Sequence, residues 1–227
     1  MVEISELNDD LLGQILERVL PRFPNLVTFQ TSQLIEEEAD LEFIAQTCPK
    51  LEAIDLSAEQ FESMFLPENG LYGLSSGGGL PKLSKVSVRG RWRVTTDRWI
   101  HRFPNLTYLD LGECGQVDDD YAVEVYDDAL EAIALVCTCL RYLNLEKSEI
   151  SNNGLRLLAH GRCSKTLNTL VLAYCKGITD SRVSHLQNVQ YLEELILESC
   201  GYRRLVTDNG VISAISGNPR SLNFWAC

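Results

Sequence analysis

The chain has 227 residues, a formal net charge of −12 and 45% hydrophobic residues, enough apolar content to bury a sizeable core. Its acidity argues against general nucleic-acid binding, which needs a basic surface to displace counterions. No run of 18 apolar residues and no basic-then-apolar leader occurs, so neither a membrane span nor a signal peptide is expected.

In chain order, residues 6–23 (ELNDDLLGQILERVLPRF) open with acids and continue with apolar residues at helical spacing. They predict a helix within residues 1–24 that caps the fold or belongs to a first repeat. LVTFQTSQL, from Leu26, then begins a motif that recurs to the end of the chain. Its later copies are LEAIDLSAE at 51, LSKVSVRGR at 83, LTYLDLGEC at 106, LRYLNLEKS at 140, LNTLVLAYC at 167, LEELILESC at 192 and LNFWAC at 222. The steps between copies run from 23 to 34 residues. Periods of this size mark a solenoid, in which each unit buries its apolar face only by stacking on a neighbour.

Each copy reads as a short strand. Alternation sends Leu170 and Leu172 inward and leaves Thr169, Val171 and Ala173 on the opposite side. The blocks between copies read as helices. SNNGLRLLAHGRC (151–163), TDSRVSHLQNV (179–189) and TDNGVISAIS (207–216) open with Ser or Thr and an Asp or Asn, good capping chemistry. Leu155, Leu158 and Ala159 then share one helix face, as do Val183 and Leu186.

Two insertions lengthen the period. Residues 57–81 are Gly/Ser-rich, with Phe61, Met64, Phe65 and Leu66 as an apolar patch, and their SSGGG lacks the G-K-[ST] of a phosphate loop. Residues 115–137 carry a DDD without the remaining ligands of a calcium loop. Such insertions in solenoids often form binding loops. Leu222, Phe224 and Trp225 end the chain inside a strand, which suggests a piece of a longer repeat array or an edge that meets a partner.

Cys114, Cys175, Cys200 and Cys227 lie at or near strand ends, whereas Cys48, Cys137 and Cys163 lie at helix ends beside Cys139. Cysteines placed by a repeat are packing residues rather than a disulfide ladder, so a cytoplasmic or nuclear protein is expected. The spacing LxxLxLxxC, a D/N-rich cap and a helix ending in C-P-x-L (TCPKL at 47–51, with variants VCTCL and RCSKTL) resembles the cysteine-containing leucine-rich repeats. These repeats are best known from F-box/LRR proteins, the substrate receptors of SCF ubiquitin ligases.

The resemblance covers nearly the whole chain. It implies one domain over 1–227, of about eight repeats. The fold would be an α/β solenoid, a right-handed horseshoe with parallel strands on the concave face and helices on the convex face. DDLLGQILERV at 9–19 resembles the opening of an F-box. The chain then runs straight into FPNLVTF, so if it is an F-box/LRR protein its adaptor-binding part is missing from this chain or reduced to one helix.

The concave sheet is where the resemblance places a protein partner. Strand alternation assigns Lys85, Ser87, Arg89, Tyr108, Asp110, Tyr142, Asn144, Glu194 and Glu198 to that face. Residues 82–102 hold seven Lys and Arg against Asp97 alone. Arg89, Arg91 and Arg93 around Trp92 would suit an anion, gripped by forked guanidiniums, or form a solvated basic edge with Trp92 or Trp99 packed on the helices. His101, His160 and His185 are scattered, with no H-E-x-x-H, no nucleophile elbow and no zinc spacing. No enzyme, metal or cofactor is expected. The resulting expectation is a substrate-recognition module of an SCF-type ligase, reaching a Skp-type adaptor. A scaffold or regulator unrelated to ubiquitin, or a sensor of an anionic small ligand, are the alternatives.

Overall fold

A computed structural model of the chain describes residues 9–32, 35, 38–58, 66, 70–75, 79–91, 94, 99–114, 127–148, 150–175, 178–198 and 206–215. Seven strands form one parallel sheet in sequence order. They are β1 (Thr28–Gln30), β2 (Ala53–Asp55), β3 (Lys85–Ser87), β4 (Tyr108–Asp110), β5 (Tyr142–Asn144), β6 (Thr169–Val171) and β7 (Glu194–Ile196). Each begins two residues after a leucine of the repeated motif; the copy at Leu222 lies outside the described residues.

The helices before, between and after them are α1 (Asp9–Arg18), α2 (Glu38–Thr47), α3 (Gly70–Gly73), α4 (Asp127–Val136), α5 (Asn152–His160), α6 (Asp180–Val183) and α7 (Asp208–Ile215). Short 3-10 segments, among them Ile100–Arg102, Arg162–Lys165 and Ser184–Asn188, complete the layer. Neighbouring helices pack on one another, as α1 on α2, α4 on α5 and α6 on α7. The architecture is an α/β solenoid with one sheet backed by helices.

The strand centres build the core. Phe29, Ile54, Val86, Leu109, Leu143, Leu170 and Leu195 stand in register, all buried. A second buried row follows two residues on, with Leu56, Val88, Leu111, Leu145, Leu172 and Leu197. Each such side chain contributes roughly 1.5–3 kcal/mol. The strands are only three residues long, yet the parallel ladder continues past them: Leu111 N–H donates to Asn144 O at 3.0 Å and Leu145 N–H to Val171 O at 2.9 Å.

The capping chemistry at 151 is present. Ser151 Oγ accepts the N–H groups of Asn153 at 2.9 Å and Gly154 at 3.4 Å. Its own hydroxyl donates to Asp127 Oδ2 at the start of α4, joining adjacent repeats. Asp180 treats Thr207 alike, accepting its N–H and its hydroxyl at 2.6 Å each. The expected helix at 179–189 is only partly α-helical, because Ser184–Asn188 winds as a 3-10 helix. A 3-10 turn rises ~2.0 Å per residue against 1.5 Å, so these few residues reach further toward the next strand. Val183 and Leu186 are still buried. Of the 57–81 insertion, Leu66, Leu71 and Leu74 are buried, while Phe61, Met64 and Phe65 lie outside the described residues.

Candidate binding surface

The residue that opens each strand faces away from the helices and forms a row across the sheet: Thr28, Ala53, Lys85, Tyr108, Tyr142, Thr169 and Glu194. These side chains are half-buried or exposed. Parallel strands in register set neighbours about 4.8 Å apart. That spacing suits stacked rings, and Tyr108 and Tyr142 lie 4.3 Å apart at 5°. Burial raises the pKa of both phenols, so each remains a neutral donor on an aromatic shelf.

The residues two positions on behave differently. Ser87, Asp110 and Asn144 are 9%, 6% and 2% exposed, which corrects their assignment to a partner-contacting surface. The Asp110 and Asn144 side chains serve the backbone. Asp110 Oδ1 accepts Gly112 N–H at 2.9 Å and Asn144 Oδ1 accepts Glu146 N–H at 2.9 Å, as Asp55 does for Ser57 at 3.0 Å. Ser87 shares a 2.7 Å hydroxyl–hydroxyl bond with Ser57. These Asx bonds turn the chain out of each strand. Burial raises the Asp110 pKa above the usual carboxylate range, against the opposing pull of Gly112 N–H, Asn144 and Arg89.

Past the strands lies a charged rim. Arg89 Nη2 is 2.5 Å from Glu113 Oε1 and 2.7 Å from Glu146 Oε2, and Lys147 Nζ is 2.6 Å from Glu113 Oε2. The guanidinium crosses one whole repeat to reach Glu146, and Gly112 makes room for it. A Cβ there would sit 2.9 Å from Arg89 Nη1 and 2.7 Å from Asn144 Nδ2. The Lys147 hydrogen bond and the Arg89 charge lower the Glu113 pKa. Further along, Tyr174 Oη donates to Glu198 Oε1 at 3.0 Å.

The rim has an uncommon backbone. Gly90, Glu113, Lys147 and Tyr174 occupy the same place in four successive repeats, and all have positive φ, at 73°, 58°, 59° and 56°. Left-handed backbone disfavours any residue with a Cβ. Only Gly90 is the residue this conformation favours, so the other three hold their side chains at the rim against that cost.

Arg91 is a second correction. It does not extend Arg89 into an exposed basic stripe: it is 0% exposed, and its Nε donates to Leu56 O. Cys114 and Cys175 hold the same place in their repeats. Each thiol donates to the equivalent carbonyl one repeat back, Val88 O and Leu145 O, at 3.1 Å. In these three repeats the ninth residue of the motif is thus a buried donor to a carbonyl of the preceding repeat, twice a cysteine and once an arginine. Burial lowers the Arg91 pKa to about 10, so it stays cationic near neutrality. With Arg89 held by two glutamates and Arg91 buried, neither offers a free guanidinium to an anion. Trp92 and Arg93 lie outside the described residues.

On the N-terminal half of the same face, a groove of about 360 Å³ opens over Ala53, between Thr28 and Gln30 on one side and Lys85 and Tyr108 on the other. Among the described residues, no group of three or more His, Cys, Asp or Glu is placed to hold a metal ion.

A family profile for the leucine-rich repeat matches residues 136–159, which run from the end of α4 through β5 to α5. One unit of the solenoid therefore matches a leucine-rich repeat. A search of curated proteins finds no match. Among solved structures, the crystal structure of Listeria monocytogenes InlP is similar over 86% of this chain and 58% of that one, with 13% identity and a TM-score of 0.48. The chain therefore spans less than two thirds of that protein's length.

Leucine-rich repeats are typically protein-binding modules. Of the residues assigned to a partner, Lys85, Tyr108, Tyr142 and Glu194 share the open row, while Arg89 and Glu198 lie on the rim. Glu113, Glu146, Lys147 and Tyr174 were missed by strand alternation, which says nothing about the turn beyond the strand. The signal lay in the aligned copies themselves, where RGR, GEC, EKS and AYC close four successive motifs.

Proposed function

We propose that this chain recognises a partner protein with its concave sheet. The finer reading, from the resemblance to F-box/LRR proteins, is that it selects substrates for an SCF-type ubiquitin ligase and performs no catalysis of its own. The observation that carries the binding role is the continuous row of outward side chains from Thr28 to Glu194, in which aromatic, cationic, small and acidic groups succeed one another on a rigid ladder. A core repeated strand by strand fixes the spacing of that row while leaving its chemistry free to vary.

Cys48, Cys114, Cys137, Cys163 and Cys175 are buried, and burial raises the pKa of each of the first four. Thiols used for packing support a cytosolic or nuclear setting. The anion-sensor alternative loses the two arginines described above.

The adaptor link is tested by size-exclusion chromatography with light scattering on the purified chain and a Skp-type adaptor. A one-to-one complex, abolished by deleting residues 6–23, is the expected result under the ligase reading. A chain that elutes apart from the adaptor would remove that reading and leave the binding module.

A further inference from the structure

The groove over Ala53 has features that specify more than a generic contact. Ala53 lacks any side chain beyond Cβ, while Thr28 on one side and Lys85 and Tyr108 on the other project past it, and this difference makes the cavity. Its floor is the β1–β2 backbone and the methyl of Ala53. Tyr142 covers one face of the Tyr108 ring, and the ring's opposite side belongs to the groove wall.

The charges in the groove are also distinctive. The rim cations Arg89 and Lys147 are both paired with glutamates. The Lys85 ammonium, exposed in the groove wall, makes no ion pair or hydrogen bond among the described residues. Asp55 lines the other end and accepts Ser57 N–H through Oδ1. The two charges share one cavity without pairing, so the groove has a cationic end and an acceptor end. A mostly apolar cleft of this volume with a few placed polar groups is what ligand recognition requires.

We infer that this groove, within the concave binding role proposed above, anchors a partner-protein segment that carries a carboxylate beside an apolar side chain. The apolar group fills the space over Ala53 against the Tyr108 ring. The carboxylate pairs with Lys85 Nζ, and a backbone N–H of the same segment meets the Asp55 end. A basic segment placed there would set like charges together and bury its apolar group no better, so Lys85 decides between the two.

The test uses the whole purified chain and a phage-displayed library of random dodecapeptides. Selected peptides are then measured by fluorescence anisotropy against the wild type, Lys85→Glu and Ala53→Trp. Lys85 is exposed and Ala53 is half-buried on the open face, and unchanged melting of both variants establishes that they fold. The expected result is enrichment of Asp or Glu within two residues of a large apolar residue. Affinity should fall at least tenfold in each variant, and a peptide with Lys in place of its acid should recover binding to Lys85→Glu.

Peptides blocked by Ala53→Trp but indifferent to Lys85→Glu would overturn the carboxylate inference and leave the concave role standing. Peptides indifferent to both variants and to Tyr142→Arg would overturn the inference and the concave role together. An unenriched library would overturn the inference as well. Free phenylacetate displacing the selected peptide at equal affinity would make the groove a small-molecule site and contradict the protein segment.

Discussion

Arg91 shows how much one position in a repeat is constrained by hydrogen bonding rather than by charge. Its Nε satisfies Leu56 O in a place where two later repeats use a thiol. Arg91→Ala should cost about 3 kcal/mol in urea unfolding, from a cavity and an unsatisfied carbonyl. Arg91→Cys restores a donor of the kind used at Cys114 and Cys175, and is expected to recover part of that loss. Equal destabilisation by both variants would show that the donor is irrelevant. Two acids on the same face should titrate with opposite signs. Asp110 has a raised pKa, so its contribution is full below about pH 4 and is lost as pH rises through the folded value. Asp110→Asn keeps an acceptor for Gly112 N–H and should raise the melting temperature at pH 7, with the gain vanishing in acid. Glu113 has a lowered pKa, so its contribution is present above about pH 4.3 and is lost as pH falls through the folded value. Glu113→Gln should therefore lower the melting temperature at pH 7, by an amount that also vanishes in acid but is modest because the pair is partly exposed.

At the scale of elements, adjacent repeats are stitched by their caps. The Asp127–Ser151 and Asp180–Thr207 bonds each pass close to a glycine three residues beyond the cap. A Cβ on Gly154 would lie 2.4 Å from Asp127 Oδ1 and 2.6 Å from Leu130 Cδ1. Helix propensity favours Ala over Gly by about 1 kcal/mol. Gly154→Ala is nonetheless expected to destabilise, with a lower urea midpoint than the wild type, because close packing outweighs propensity here. A higher midpoint would show that α4 and α5 separate without cost. The strands, their spacing and the buried leucines were legible in the sequence because a periodic apolar pattern fixes which residues must face a neighbour. The Ser151 cap was legible for a similar reason, being local. The exposure of the second outward row was not. Alternation places Asp110 and Asn144 on the open face but carries no information about Asx bonds that fold them back on the chain. Arg91 was misread because its charge was weighed above its place in the motif, although LSKVSVRGR already aligned it with the cysteine of LTYLDLGEC.

For the whole molecule, the repeated core and the varied outer row divide the labour. Rows of Leu, Ile, Val and one Phe hold seven strands in register, and the row from Thr28 to Glu194 presents groups of differing size and charge along the sheet. The rim of Glu113, Lys147 and Tyr174 borders that row with side chains held in left-handed backbone. Recognition by the concave sheet is the central claim, and site-specific photo-crosslinking tests it most directly. A benzophenone amino acid replaces Thr169, half-buried on the open row, or Leu135, 55% exposed on the helix layer, in cells that express the chain. The expected result is a discrete set of adducts from position 169, identified by mass spectrometry, that position 135 does not yield. Adducts from position 135 alone would contradict the account and move recognition to the helices.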